Sequence, residues 1–227
     1  MDAIIVWFGP DGLPSLADKS VDVTITDPPF DKRSHDGAGR GKVPFNALSL
    51  YEIRALASEL VRVTKRWILV FSSERHHELW AQQLEVAGGE FVRLGVARRT
   101  NPMPQMSGER PASGVDHIVI AHVGGGRKRW NGGGKAAIWD SPPSRFDNPD
   151  RKLIHPTQKP IALMRQLVED FSEPGELLCD PFAGSGTTAV ACAQLVRRFV
   201  GWEVSAGYHA AAVGRINGTV LAERGAA

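Results

Sequence analysis

The chain has 227 residues, 42% hydrophobic and 23% charged, with a formal net charge of +2. These proportions describe one globular domain with one substantial core, and they exclude a disordered, fibrous or disulfide-rich chain. No apolar run is long enough to cross a bilayer, the first residues lack the basic flank of a secretion signal, and two cysteines, Cys179 and Cys192, make neither a disulfide framework nor a cysteine-built zinc site. The expected setting is reducing and cytoplasmic, with no membrane association and no metal.

In chain order, residues 21–26 are rich in β-branched side chains and predict a strand ending at Asp27. Residues 31–45 are glycine-rich and charged and read as a mobile loop. Ser49 with Glu52 has the form of a helix capping box, and Ile53, Leu56, Ala57, Leu60 and Val61 follow at helical spacing, so residues 49–64 predict an amphipathic helix. A short apolar strand is expected over 67–71 and a helix over 74–87, closed by Gly88 and Gly89. Strands are expected at 90–97 and 117–123, separated by an irregular stretch carrying Pro102, Pro104 and Pro111. Residues 124–154 hold two triple-glycine runs and little periodicity, which reads as a long loop. Pro160 then opens a helix running to 171, a strand over 176–179 ends at Asp180, a helix spans 187–196, a strand 199–202, and a last helix 206–220. Strands alternating with helices imply an α/β fold with a mostly parallel sheet, and residues 1–227 read as a single domain.

In such a sheet ligands bind beyond the carboxyl ends of the strands. Two predicted strands end in aspartate followed by proline, Asp27-Pro28 and Asp180-Pro181, so two candidate sites fall side by side on one edge. The second runs Asp180-Pro181-Phe182-Ala183-Gly184-Ser185-Gly186-Thr187 into a helix. Gly184 and Gly186 permit a sharp turn and close approach to a ligand, and the helix start can face an anionic group. No Gly-Lys-Ser or Gly-Lys-Thr follows, which removes the nucleoside-triphosphate loop, and the Gly-x-Gly-x-x-Gly spacing is absent. Glu203 closes the next strand, 17 residues after Gly186, where a carboxylate can hold two ribose hydroxyls. Turn and carboxylate together favour a ribose-bearing cofactor over a plain structural turn.

Asp27-Pro28-Pro29-Phe30 carries the other half of the chemistry. Each residue before a proline is driven extended, so the double proline stiffens the turn and aims the Asp27 carboxylate and the Pro28 carbonyl outward. An aromatic amine is a poor nucleophile because its lone pair is delocalised into the ring. Two fixed acceptors that take its two hydrogens localise that pair and stabilise the charge developing on nitrogen. Phe30 can stack on the ring. The remaining requirement is alignment, with no metal and no covalent enzyme intermediate.

Asp27-Pro28-Pro29-Phe30, then His155-Pro156-Thr157-Gln158-Lys159-Pro160, then the Asp180 glycine turn resemble the amino-methyltransferase family of DNA-modifying enzymes over about residues 5–216. The catalytic motif precedes the cofactor motif, as in the permuted β group of that family. The resemblance implies a Rossmann-like S-adenosylmethionine-dependent methyltransferase sheet, mostly parallel with one antiparallel strand. It implies that residues 180–187 hold the methionine part of S-adenosylmethionine, that Glu203 binds the ribose, and that Thr157 and Lys159 lie near the methionine carboxylate. Asp11, in Gly9-Pro10-Asp11, falls near an early element that approaches the adenine of the cofactor. Aspartate heading the catalytic motif resembles adenine-N6 enzymes acting on double-stranded DNA by base flipping. Cytosine-N4 methylation is the alternative, and methylation of RNA or of a protein glutamine is a more distant one.

Such enzymes place target recognition between the last antiparallel strand and the His155 motif, here about residues 124–154. Arg127, Lys128, Arg129 and Lys135 occur there with no acid over Gly124 to Lys135, which reads either as a phosphate-contacting loop or as a solvated one. Trp130 either stacks on DNA or covers a core edge. Lys32, Arg33 and Arg40 lie in the 31–45 loop, which can close over a flipped base. A recognition region this short suggests either that recognition itself is short or that two subunits share it, and the homodimer is the reading favoured. Asp140-Ser141-Pro142-Pro143-Ser144 imitates the catalytic motif, but no strand is predicted before it, and it reads as a turn.

Overall fold

The computed structural model describes residues 6–8, 12–29, 47–102, 104, 106–147, 153 and 157–225. Its strands are β1 (Val6–Phe8), β2 (Val21–Thr26), β3 (Thr64–Ser72), β4 (Glu90–Arg99), β5 (Val115–His122), β6 (Ile138–Ser141), β7 (Leu177–Asp180) and β8 (Arg198–Gly201). Its helices are α1 (Leu50–Val63), α2 (His77–Val86), α3 (Ile161–Phe171), α4 (Thr187–Gln194) and α5 (Ala206–Gly225). Capping anchors α1 as the sequence predicts: the Glu52 amide donates to Ser49 Oγ at 3.3 Å, and the Ser49 amide donates to Glu52 Oε2 at 2.7 Å.

The strands form one sheet in the order β1-β8-β7-β2-β3-β5-β4-β6. Only β5 opposes its neighbours, pairing antiparallel with β3 and β4, which matches the expected single antiparallel strand. From β2 the chain moves outward to β3, and from β7 it moves the other way to β8. The order therefore reverses between β2 and β7, where an open α/β sheet forms its ligand crevice. Successive side chains of a strand point to opposite faces, and the two faces carry separate cores. Val23, Ile25, Leu69 and Phe71 pack under α3, α4 and α5 through Leu163, Leu167, Val190 and Ile216. Ile68, Val70, Val119 and Ala121 pack under α1 and α2 through Ile53, Leu60, Trp80 and Leu84.

The structure differs from the sequence reading over 124–154. A strand, β6, lies inside the expected loop and pairs parallel with β4, Ala97 opposite Trp139. Four residues are too few for periodicity to register, and β6 is held by tertiary contacts. Trp139 is buried against the core, and its indole N–H donates to Asp170 Oδ2 at 2.6 Å. The Ser141-Pro142-Pro143 turn thus does follow a strand, contrary to the sequence expectation. It sits at the outer end of the sheet, four strand spacings from β2, or roughly 19 Å.

Residues 124–135 cover the carboxyl end of α3. Asn131 donates its side-chain N–H groups to the Glu169 and Ser172 carbonyls, both at 3.0 Å, and its amide to the Asp170 carbonyl at 2.9 Å. These carbonyls are among those a helix end leaves unsatisfied. Lys135 Nζ meets Asp170 Oδ2 at 2.5 Å. Asp170→Ala removes the acceptor of two donors and leaves the Trp139 indole N–H buried without one. A loss of about 1–3 kcal/mol is expected in urea unfolding, with cofactor affinity unchanged.

Candidate active site

Strands β2 and β7 are hydrogen-bonded neighbours, Thr24 opposite Cys179, so Asp27 and Asp180 emerge side by side on the carboxyl edge. Asp180 is buried. Its Oδ1 accepts from Thr26 Oγ1 and from the Phe182 amide, both at 3.0 Å, and its Oδ2 accepts from Thr188 Oγ1 at 2.7 Å. Burial raises its pKa to about 6, against the lowering effect of those three donors. Asp180 was expected to touch the cofactor. Its oxygens join the end of β2, the glycine turn and the start of α4.

Asp27 is partly buried, followed by Pro28 and Pro29. Phe30 lies outside the described residues, as do Asp11, Lys32, Arg33 and Arg40. Lys159 Nζ donates to Asp27 Oδ2 at 2.5 Å and stands over the Phe71 ring, 4.8 Å from its centroid. Asp27 Oδ1 is buried and accepts no hydrogen bond among the described residues. Burial pushes the Asp27 carboxyl upward. The Lys159 ammonium, by charge and hydrogen bond, pulls it back; Asp116 adds to the rise and Arg99 opposes it. Lys159 therefore lies against the Asp27 carboxylate, and Thr157 stands two residues before it on the segment entering α3.

Two further groups near Asp27 escaped the sequence reading. Arg99 at the end of β4 pairs with Asp116 near the start of β5. The connection between those strands is long and irregular, so their register could not be read from one sequence. Only the strand assignments on either side hinted at it.

The glycine turn has the conformation that its residues suggested. Gly184 and Gly186 take positive φ, +53° and +75°. A Cβ on Gly186 would stand 2.9 Å from Ala212 Cβ of α5. Arg215, also on α5 and unmarked in the sequence, donates to the Ser185 carbonyl at 2.7 Å and reaches Ser185 Oγ and Thr187 Oγ1 at 3.2 and 3.3 Å. The Ala183 amide donates to the Trp202 carbonyl at 2.9 Å. Glu203 spans the same corner: Oε2 accepts from the Gly184 amide at 2.9 Å and Oε1 from the Ser205 amide at 2.7 Å. Beside the turn lies a cavity of about 310 Å³ lined by Leu13, Pro14, Leu56, Pro181, Phe182 and Trp202, among others. An apolar slot next to a carboxylate with lone pairs to spare fits a nucleoside: the base in the slot and the ribose hydroxyls on Glu203.

The basic loop stands elsewhere. β5 runs opposite to β3, with Trp67 facing His122, so the chain leaves β5 at the amino edge. Trp67 Nε1 donates to the Arg129 carbonyl, fixing the loop there. Trp67 pairs with Val23 and lies four strand positions before Asp27, roughly 13 Å down the sheet. Lys128 pairs with Glu90 at 2.8 Å and Lys135 with Asp170. Trp130 packs on Phe171 and Trp139 and donates to the Gly133 carbonyl at 2.8 Å, so it covers a core edge. Among the expected DNA contacts of this loop, Arg127 and Arg129 alone are exposed cations without a described ion pair. The structure does not bring these five residues to Asp27.

Residues 21–214 match the family described as DNA methylase. The chain belongs to that family. A stretch of 71 residues is 41% identical to the DNA adenine methyltransferase YhdJ of Escherichia coli strain K12, covering 31% of this chain and 24% of that protein. Among solved structures, the M1.HpyAVI–SAM complex matches 95% of this chain and 100% of its own at a TM-score of 0.73 and 24% identity. The cytosine-N4-specific PvuII DNA methyltransferase matches 92% of this chain and 85% of its own at 0.71 and 16%. These two likenesses establish the fold, which is that of the methyltransferase sheet expected from the motifs. Among the described residues, no helix is long and apolar enough to cross a membrane, and no cluster of His, Cys, Asp and Glu could hold a metal ion.

The raised pKa of Asp180 gives a pH signature. Below about pH 4 the group is protonated in folded and unfolded chains alike. Between about 4 and 6 the unfolded chain releases the proton while the folded chain keeps it, so stability falls as pH rises; above 6 the loss is constant. Asp180→Asn removes this dependence. The urea midpoint of the variant relative to the wild-type chain should climb from about pH 4 to 6 and level off; a constant difference would mean that Asp180 titrates at its ordinary value.

Proposed function

We propose that this DNA methylase transfers a methyl group from S-adenosylmethionine to the N6 amino group of adenine in duplex DNA, on a base extruded from the helix. The observation that carries this reading is the Asp27 carboxylate. It stands next to the glycine turn, with Oδ2 held by Lys159 and Oδ1 buried without a donor among the described residues. S-adenosylmethionine supplies an electrophilic methyl on a sulfonium when bound beside Gly184 and Glu203.

The chain's own residues do the rest. Burial raises the Asp27 pKa and Lys159 opposes that rise, while its bond to Oδ2 leaves Oδ1 as the oxygen facing the amine. Oδ1 and the Pro28 carbonyl take the two hydrogens of the target amine, localise its lone pair and stabilise positive charge as it develops on nitrogen. The prolines and the Thr26 to Asp180 hydrogen bond hold these acceptors in line with the cofactor turn. Aspartate at the head of the motif and the adenine-specific name of the partial relative favour adenine over cytosine N4. Duplex DNA as substrate, and a homodimer sharing it, belong to the same reading; RNA and protein glutamine stand further off.

Asp27→Ala should lower methyl transfer to plasmid DNA by at least about 100-fold while leaving sinefungin binding within a few-fold of the wild-type chain. Long-read sequencing of DNA from expressing cells, with nucleoside mass spectrometry, should report N6-methyladenine; N4-methylcytosine alone would overturn the choice of base. The base must enter from the carboxyl edge, whereas Arg127 and Arg129 face the amino edge. Arg127→Gln with Arg129→Gln should therefore leave the salt dependence of DNA binding unchanged; a loss of about one unit of slope per residue would place them on phosphates.

A further inference from the structure

With the basic loop on the far edge, another element must meet the DNA. The connection between β4 and β5, residues 100–114, opens on the edge that carries Asp27, because His117 of β5 faces Ser72 at the end of β3. Two residues suffice to join antiparallel strands, and connections of this length in a compact domain commonly serve a function. Its root is fixed. The Arg99 amide donates to the Gly114 carbonyl at 2.8 Å, Arg99 pairs with Asp116, and the Thr100 amide donates to the Ser141 carbonyl of β6 at 3.2 Å.

The lateral order also matters. The glycine turn follows β7, on one side of β2, while β3, β5 and β4 lie on the other. In-line transfer requires donor and acceptor to approach from opposite sides, so DNA arrives over β3, β5 and β4, where this hairpin stands. Met106 in it is 89% exposed, the highest value among the described large hydrophobic side chains. Arg110, four residues on, is exposed and makes no ion pair among the described residues. A base leaving the stack leaves an apolar gap, and unbranched or aromatic side chains are used to fill such gaps, with cations nearby on phosphates.

We infer that the β4–β5 hairpin is the element that engages duplex DNA, with Met106 wedging into the stack beside the extruded base and Arg110 on the backbone. This rests on the DNA-methylating function proposed above.

Both natural cysteines, Cys179 and Cys192, are buried, so an introduced surface thiol reports alone. Met106→Cys and Arg129→Cys are labelled with a maleimide in the presence of sinefungin, with and without plasmid DNA prepared from a host lacking this protein. DNA should slow labelling at position 106 by about tenfold and leave position 129 within about twofold. In single-turnover methylation of the same plasmid, Met106→Ala should be slowed by about tenfold and Met106→Leu should retain most of the rate, with sinefungin affinity equal in both. Unchanged labelling at position 106 in a preparation that methylates the plasmid overturns the hairpin and leaves the function standing. Protection of position 106 with Met106→Ala as fast as the wild-type chain overturns the wedge. A wild-type preparation that methylates no plasmid DNA overturns the function itself, and the hairpin with it.

Discussion

The carboxylate of Asp180 is the point through which the two halves of this site are joined. It ends one strand, accepts from the hydroxyl that ends the neighbouring strand, and holds the first amide of the glycine turn and the first turn of α4. Those strands flank the reversal of the sheet order, where an open α/β sheet would otherwise part into a crevice with independent walls. A buried charge is costly, and Asp180 is tolerable there because three donors satisfy it. Asp27 and the glycine turn are thereby placed on one rigid element rather than on two loops.

A second charged contact sits on top of the first. Asp27 is held between burial, which favours its neutral form, and Lys159, which favours the carboxylate. Arg99 and Asp116 add opposing smaller effects from β4 and β5. The acceptor strength of Asp27 is therefore set by residues from widely separated parts of the chain that meet only in the fold.

Much of this was legible in the sequence. The β-branched run before Asp27, the capping box at Ser49 and Glu52, and the two Asp-Pro strand ends pointed to a mostly parallel sheet and the shared edge; the single antiparallel strand came from the family resemblance. The glycines of the turn were legible because their positive φ admits few other residues. What escaped notice depends on register and on which edge a loop faces. Arg99 meets Asp116, Arg215 meets the glycine turn, and Lys159 meets Asp27 across distances in sequence that no local pattern encodes. Charge counted along the sequence was incomplete at 124–135. The sequence shows four cations and no acid there, but the acids that pair with Lys128 and Lys135 come from β4 and α3. Trp130 stayed open between stacking on DNA and covering a core edge because β6, the strand that carries its neighbour Trp139, is too short to show a period.

The reversed direction of β5 sorts the chain into two poles. The segment entering it lies on the edge that carries Asp27, and the segment leaving it lies a full strand length away, fastened to the end of α3 by Asn131 and Lys135. Length or charge added within 124–134 is carried away from Asp27, whereas each change within 100–114 is made on the edge that carries it. The sheet thus keeps one stretch of chain that can lengthen or change charge without disturbing the carboxyl edge, and another whose every change is felt there.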